Sequence, residues 1–528
     1  MLILQNISYT HPDRELLFSD IHLTINNLDK TALVGNNGAG KSTLLKIIAG
    51  ELPVSGGQRI VDTPPYYIPQ IFGQYNHLSI AQALKIEHQL NALQEILNGN
   101  VTEKNYALLN DDWTIEDRCN AALQHWQLDG LNLSQKMGTL SGGQKTKVFL
   151  AGITVHQPAL ILMDEPSNHL DIPGRQQLYD LIQNSRSTLI VVSHDRQLLN
   201  LLDTTCELSR NGIKMYGGNY DFYREQKQLE SDALNQDIQS KEKALRKARE
   251  KERETAERQQ KLDSRGKGKQ EKAGVAKIMM NTLRNNAENS TAKLKAVHTE
   301  KIGGISQELH DLRNTLPGIE KMRFGFDDTA LHKGKILFTA SDINFGYGDV
   351  LLWKKALNFQ LTSGERIALK GANGAGKTTL IKLILGNIEP QSGILYRAES
   401  RSVYIDQEYS LLDNALNVYE QARQFNSAAL QEHEVKIRLH RFLFTKEDWD
   451  KPCSALSGGE RMRLLLCCLT IDNRPPDIII LDEPTNNLDI QNIEILTAAI
   501  NEYRGTVIVV SHDAVFLKQL NIEREIVL

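Results

Sequence analysis

Five cysteines in 528 residues are too few and too scattered for a disulfide framework. Cys119, Cys206, Cys453, Cys467 and Cys468 show neither paired nor metal-ligand spacing. The adjacent Cys467 and Cys468 fall in an apolar helical run, where a thiol packs as a small hydrophobe. A reducing, cytoplasmic location is therefore expected. Long apolar runs are missing too. None reaches 18 residues, and the opening MLILQNISYTHPDREL has no signal-peptide pattern. Nor does one sign of charge dominate: 61 Lys and Arg stand against 65 Asp and Glu, a net charge of −4. A polyanionic partner would have to be met by a local patch. What is present, 41% hydrophobic and 24% charged residues, is ordinary for a globular chain of roughly two to four domains.

The positive signal is a large internal repeat. TALVGNNGAGKSTLLKIIAG (31–50) returns as IALKGANGAGKTTLIKLILG (367–386), and LILMDEPSNHLD (160–171) as IIILDEPTNNLD (478–489). TLIVVSHD (188–195) returns as TVIVVSHD (506–513), and LSGGQ (140–144) as LSGGE (456–460). Each copy reads as strand, glycine loop, helix and further apolar strands, which predicts a parallel sheet covered by helices.

The loop Gly35, Asn36, Asn37, Gly38, Ala39, Gly40, Lys41, Ser42 and Thr43 fits G-x-x-x-x-G-K-[ST] in the strand-to-helix context that motif needs. So does Gly371, Ala372, Asn373, Gly374, Ala375, Gly376, Lys377, Thr378 and Thr379. Glycines let backbone N–H groups approach phosphates, the lysines supply point charges, and Ser42 and Thr378 suit Mg²⁺. Asp164–Glu165 and Asp482–Glu483 end apolar strands. An aspartate there suits Mg²⁺ and the following glutamate can orient or deprotonate water, although a helix cap is also compatible with DEPSNHLD. His194 and His512 end further strands. Gln70 and Gln407 follow strands and suit sensing of Mg²⁺ and water at a terminal phosphate. Ser141, Gly142, Gly143 and Gln144, with Ser457, Gly458, Gly459 and Glu460, hold no base. Their hydroxyls and freed N–H groups suit an anion at a helix N-terminus.

These motifs, in this order, resemble the ATP-binding cassette (ABC) superfamily over roughly three quarters of the chain. The resemblance implies ATP and Mg²⁺ as ligands and an α/β fold of two P-loop ABC ATPase domains, closing head to tail within a monomer. One ATP would lie between Lys41, Gln70, Asp164, Glu165, His194 and the signature Ser457–Gly459. The other would lie between Lys377, Gln407, Asp482, Glu483, His512 and Ser141–Gly143. The family places an aromatic ring under adenine; Tyr347 fits in the second half, whereas the first half departs from the pattern, with His11 at the same spacing and Tyr9 nearby.

Between the halves the composition changes. Residues 226–330 read as a long antiparallel helical hairpin, with Leu234, Ile238, Leu245 and Ala248 at helical steps, each arm about 55 Å long. RGKGKQEKAG (265–274) is expected to break the first helix, and Gly303–Gly304 to bend the second. Residues 241–301 carry 18 Lys and Arg against 9 Asp and Glu, leaving −13 elsewhere. Arg265, Lys267, Lys269, Lys272 and Lys277 gather at the tip (263–280). A solvated spacer explains a charge run, but cations gathered at a turn suit nucleic-acid phosphates better. The first half also holds about 21 extra residues near 85–115, where Ile86, Leu90, Leu93 and Leu97 predict a packed helix.

Tandem cassettes (1–225 and 331–528), this insert and this linker resemble the ABC-F family. There the insert is the arm, and members bind ribosomes at the tRNA exit site with the linker reaching toward the peptidyl-transferase centre. The implied partners are rRNA and P-site tRNA, met by linker and arm, with no membrane subunit. The implied function is ATP hydrolysis coupled to translation or to protection of ribosomes from antibiotics. No C-terminal coiled-coil extension is expected after Asp513. Two alternatives stand beside it. A transporter ATPase subunit would lack the hairpin, and an SMC-like DNA-associated ATPase would have its coil inside one cassette.

Overall fold

Four five-residue strands, Leu160–Asp164, Thr188–Val192, Ile478–Asp482 and Thr506–Val510, are buried at every position. Apolar runs of this kind need cover on both faces, as a parallel sheet provides. In the computed structural model, which describes residues 1–11, 16–209, 212–270, 295–313, 332–348, 350–372, 374–472, 475–486 and 488–528, they form two such sheets. The first runs Tyr66–Ile68, Leu160–Asp164, Thr188–Val192, Lys30–Val34, Thr204–Ser209 and Gly212–Tyr216, parallel except for the last pair. The second runs Ser402–Ile405, Ile478–Asp482, Thr506–Val510, Arg366–Lys370 and Arg524–Val527, parallel throughout.

Register decides where the motifs fall. Asp164 pairs with Val192 and Leu33 with Val192, while Asp482 pairs with Val510 and Leu369 with Val510. Glycine loop, strand-end acids and strand-end histidine thus leave each sheet at the same carboxyl-end edge, the usual ligand side of an open α/β sheet. A three-stranded antiparallel sheet packs onto each half: Leu16–Ile25, Leu2–Thr10 and Gly56–Val61 in the first, and Leu357–Thr362, Ile336–Asn344 and Ser392–Arg397 in the second. The helix Lys41–Ala49 lies in the core, where Leu44, Leu45, Ile47 and Ile48 meet Leu4, Ile7, Phe18, Leu162 and Ile190. Burying each such side chain contributes about 1.5–3 kcal/mol, which anchors the helix against the sheet. Leu380, Ile381, Leu383 and Ile384 repeat the arrangement in Lys377–Leu385.

The described chain divides into two compact units: Met1–Asp221 with Lys321–Leu528, and Phe222–Glu320. In the insert, Glu87–Leu97 is helical with Ile86, Leu90 and Leu93 buried, but Leu97 is 71% exposed. Ile96 closes the stripe instead, because the helix ends at Leu97 and a three-residue step from Leu93 stays on the buried face. A further short helix, Glu103–Leu109, capped by Thr102, follows.

The linker differs from expectation in two ways. The helix Tyr220–Gln270 spans 51 residues, about 77 Å rather than 55 Å. It runs through Gly266 and Gly268, since two glycines cost only about 1 kcal/mol each inside a long Lys/Glu/Gln-rich helix. The helical residues 295–313 likewise continue through Gly303 and Gly304. Ile238 and Leu309 are buried, and Leu234, Leu245 and Ala248 half-buried. Lys241 pairs with Glu308, and Arg313 with Glu242 at 2.5 Å. The side chains of Arg265, Lys267, Lys269, Lys272 and Lys277 lie outside the described residues, as do 314–331.

Candidate nucleotide sites at the seam between the halves

Each glycine loop turns into its helix through a left-handed residue, Gly40 at φ 95° and Gly376 at φ 88°. A Cβ on Gly40 would stand 2.7 Å from the Phe18 ring, so the position excludes any other residue. The lysine that follows folds back on its own loop. Lys41 Nζ donates to the carbonyls of Gly35 (2.6 Å) and Asn36 (3.2 Å). Lys377 Nζ donates to those of Gly371 (2.7 Å) and Ala372 (3.2 Å). Burial depresses the Lys41 ammonium, opposed by Glu165, Asp489 and Asp164.

The strand-end acids share one geometry. Glu165 (φ 51°) and Glu483 (φ 48°) take the left-handed conformation, strained for a residue with a Cβ. The strain is held by their N–H groups, which donate to Val192 and Val510 carbonyls at 2.8 Å. His194 Nε2 lies 3.3 Å from Glu165 Oε1, and His512 Nε2 3.3 Å from Glu483 Oε1. Burial, with Lys41 nearby, lowers His194 well below the ordinary imidazole value, and burial with Lys377 and Arg175 takes His512 to about 4. Both imidazoles are neutral at pH 7. Burial raises Glu165, and it raises Glu483 to about 7 against the opposing charges of Arg175 and Lys377. Such carboxyls are poised to take a proton near neutrality.

Sequence reasoning missed the tyrosines that orient the aspartates. Tyr404 Oη donates to Asp482 Oδ2 at 2.7 Å, and Tyr67 Oη to Asp164 Oδ2 at 3.4 Å. Each sits three residues before Gln70 or Gln407, a spacing the repeat already carried.

Two clefts result, each of about 360 Å³ and each built from both halves. The first brings His11, Asn37, Gly38, Gly40, Lys41, Ser42, Thr43, Gln70, Asp164, Glu165 and His194 together with Ser457. The second brings Gly374, Gln407, Glu483 and His512 together with Ser141, Gly142 and Gly143. Asp489 reaches over the seam as well, its Oδ2 accepting the Asn37 N–H at 2.9 Å. Asn373 lies outside the described residues. Lys377, Thr378 and Asp482 do not line the second cleft, and Tyr347 is 65% exposed with its Oη 3.3 Å from Thr379 Oγ1. Gln144 and Glu460 close capping boxes instead. Gln144 Oε1 accepts the Ser141 N–H at 2.9 Å, and Glu460 Oε2 the Ser457 N–H at 2.7 Å. The helices Gly142–His156 and Gly458–Ile471 thereby begin at the clefts, with their positive dipole ends there.

The residues fit ATP and Mg²⁺. Asp164 Oδ1, Glu483 Oε2 and His512 Nδ1 are buried without a hydrogen-bond partner. Buried polar atoms are costly unless something meets them, and water, metal and phosphate oxygens are what these would meet.

The sequence profile of the family described as ABC transporter matches residues 18–168 and 354–486. The chain is 32% identical to the ATP-binding protein Uup of Haemophilus influenzae over 98% of this chain and 77% of the relative. It is 31% identical to Uup of Escherichia coli strain K12 over 95% and 76%. With ABC transporter F family member 5 of Arabidopsis thaliana it shares 29% over 98% and 73%. Among solved structures, the archaeal ribosome recycling factor aABCE1, in complex with the stalk protein aP1, superposes with TM-score 0.62 at 19% identity, covering 99% of this chain and 87% of that one. A model of ribosome-bound archaeal Pelota and ABCE1 gives TM-score 0.57 at 18% identity over 99% and 76%. No helix among the described residues is long and apolar enough to cross a membrane. With its two cassettes and these relatives, the chain belongs to the ABC transporter family and, within it, to the ABC-F type of tandem ATPases.

Proposed function

We propose that the chain is a ribosome-associated ATPase that hydrolyses ATP to ADP and phosphate at both clefts and thereby acts on translation or protects ribosomes from antibiotics. The observation that carries the ATPase part is the interleaving of the halves, which puts Ser457 in the first cleft and Ser141 in the second. Lys41 and Lys377 hold the β- and γ-phosphates, leaving their loop carbonyls to do so. Ser42 with Asp164, and Thr378 with Asp482, would hold Mg²⁺, with Gln70 and Gln407 facing it. When bound, that ion supplies charge neutralisation on the phosphates. Tyr67 and Tyr404 keep the aspartates aimed. Glu165 and Glu483 orient water and accept its proton, while neutral His194 and His512 steady the glutamate and the terminal phosphate. The signature hydroxyl and helix N-terminus arrive from the other half, so hydrolysis requires closure.

The ribosomal part is supported by the +9 charge of residues 241–301 against −13 elsewhere, and by the subject of the ABCE1 structures. A polyanion would be met there by a probe rather than by the whole surface. The protein would work in the cytoplasm as a monomer, with linker and arm on rRNA and P-site tRNA.

The test is co-sedimentation of Glu165→Gln/Glu483→Gln with ribosomes in ATP, ADP or no nucleotide. Glutamine keeps size and hydrogen bonding but cannot take a proton, so ATP-dependent occupancy should rise above that of the parent and translation should stall. Equal occupancy under all three conditions would sink the coupling. Absence from ribosomes throughout would sink the ribosomal reading.

A further inference from the structure

Arg175 stands in the first turn of the helix Ile172–Asn184, which begins at its cap Asp171. Its own half fixes it on two sides. Nε donates to the Leu170 carbonyl at 3.3 Å, and a terminal nitrogen lies 3.5 Å from Asp195 Oδ2. Asp195 is held in turn by Tyr179 Oη at 2.6 Å. The side chain is 10% exposed, yet it lines the second cleft beside Glu483, His512 and Ser141. The halves diverge at this point. The offset that carries Asp171 to Asp489 carries Arg175 to Ile493, a core residue 2% exposed. No arginine lines the first cleft among the described residues.

A guanidinium held in this way has little rotamer freedom left to lose. It is weakly hydrated, planar and matched to phosphate oxygens, so it suits the terminal phosphate of a nucleoside triphosphate. Its charge already reaches Glu483 and His512, which belong to the other half. We propose that Arg175 is a phosphate-binding residue delivered across the seam to ATP in the second cleft, and that it makes the second site the faster of the two. This rests on the composite-site reading above. Ile493 gives the first site no counterpart, so the inequality is written into one position of the repeat.

The test reads each site separately in one full-length chain. Vanadate-dependent photolabelling with an azido-ATP, assigned by mass spectrometry to peptides of each half, reports turnover at each glycine loop. Arg175→Ile should cut the label in the second half by about tenfold or more, the range of a lost charged hydrogen bond, and leave the first half within about twofold. Arg175→Gln keeps the stem and an N–H donor at the position of Nε, which meets the Leu170 carbonyl, but neither the terminal nitrogens nor the charge, and should lose the same label. Arg175→Lys should recover part of it. Equal loss from both halves in Arg175→Gln, or no loss in either variant, would overturn the proposal. Absence of vanadate-dependent label from both halves of the unmutated chain would overturn the composite-site reading along with it.

Discussion

Replacing Ser141 by alanine separates what this serine does in its own half from what it does across the seam. In its own half, Oγ accepts the Gln144 N–H at 3.3 Å and caps the helix Gly142–His156. Losing such a cap costs about 1 kcal/mol, or a thermal midpoint about 2–4 °C lower in a domain of this size. Across the seam, the hydroxyl lines the second cleft and would donate to a phosphate oxygen. A hydrogen bond to a charged group contributes about 1.5–3 kcal/mol, which is about 10- to 150-fold in turnover. The two effects are read by steady-state ATPase in two backgrounds. Glu165→Gln leaves only the second site able to hydrolyse, and Glu483→Gln only the first. Ser141→Ala should slow the Glu165→Gln protein by the larger factor and the Glu483→Gln protein by less than about twofold. Ser457→Ala should do the converse. A larger loss in the Glu483→Gln background would assign the signature to its own half and refute the interleaved arrangement. A similar small loss in both would reduce the serine to a cap.

Glu483 predicts a pH dependence of stability in the absence of nucleotide. Burial holds its proton until about pH 7, whereas the unfolded chain releases it near the ordinary carboxylate value, so its contribution to stability falls as pH rises between the two and is flat above. Glu483→Gln should therefore gain on the parent from pH 5 to pH 8, by at most about 3 kcal/mol. A difference in thermal midpoint that stays constant over that range would contradict the burial argument. Tyr404→Phe removes the 2.7 Å hydrogen bond to Asp482 and should raise the Mg²⁺ concentration for half-maximal ATPase by about tenfold, read by metal titration. An unchanged Mg²⁺ requirement would leave the tyrosine a packing role only. Replacing residues 263–280 by a neutral Gly/Ser turn should leave basal ATPase within about twofold. It should also abolish the effect on translation and flatten the salt dependence of ribosome binding. Translation assays that show an unchanged effect would return the basic tip to a solvated spacer.

The sequence by itself determined the elements whose signal is local. Glycine loops open helices because only Gly40 and Gly376 tolerate their backbone angles. Apolar five-residue runs declare strands buried on both faces. A repeat kept in register from Glu165 to His194 and from Glu483 to His512 declares two like sites. Periodicity misplaced what depends on where a helix stops or what glycine actually costs. Leu97 fell outside the insert's buried stripe because Glu87–Leu97 ends there, and the first linker helix ran through Gly266 and Gly268.

Tertiary structure alone decided which atoms share a cleft. Arg175 and Glu483 are separated by 308 positions, and Asn37 and Asp489 by 452. No periodic pattern reaches that far. Their meeting follows from the parallel register, which sends every motif to one sheet edge, and from the packing of the two halves along that edge. The capping role of Gln144 and Glu460 is local by contrast: their side chains turn back on their own serines three residues earlier, while those serines face the other half. A motif names the groups available for chemistry. Only the seam settles which half's phosphate each group can reach, because a hydrogen bond acts over about 3 Å whatever the distance along the chain.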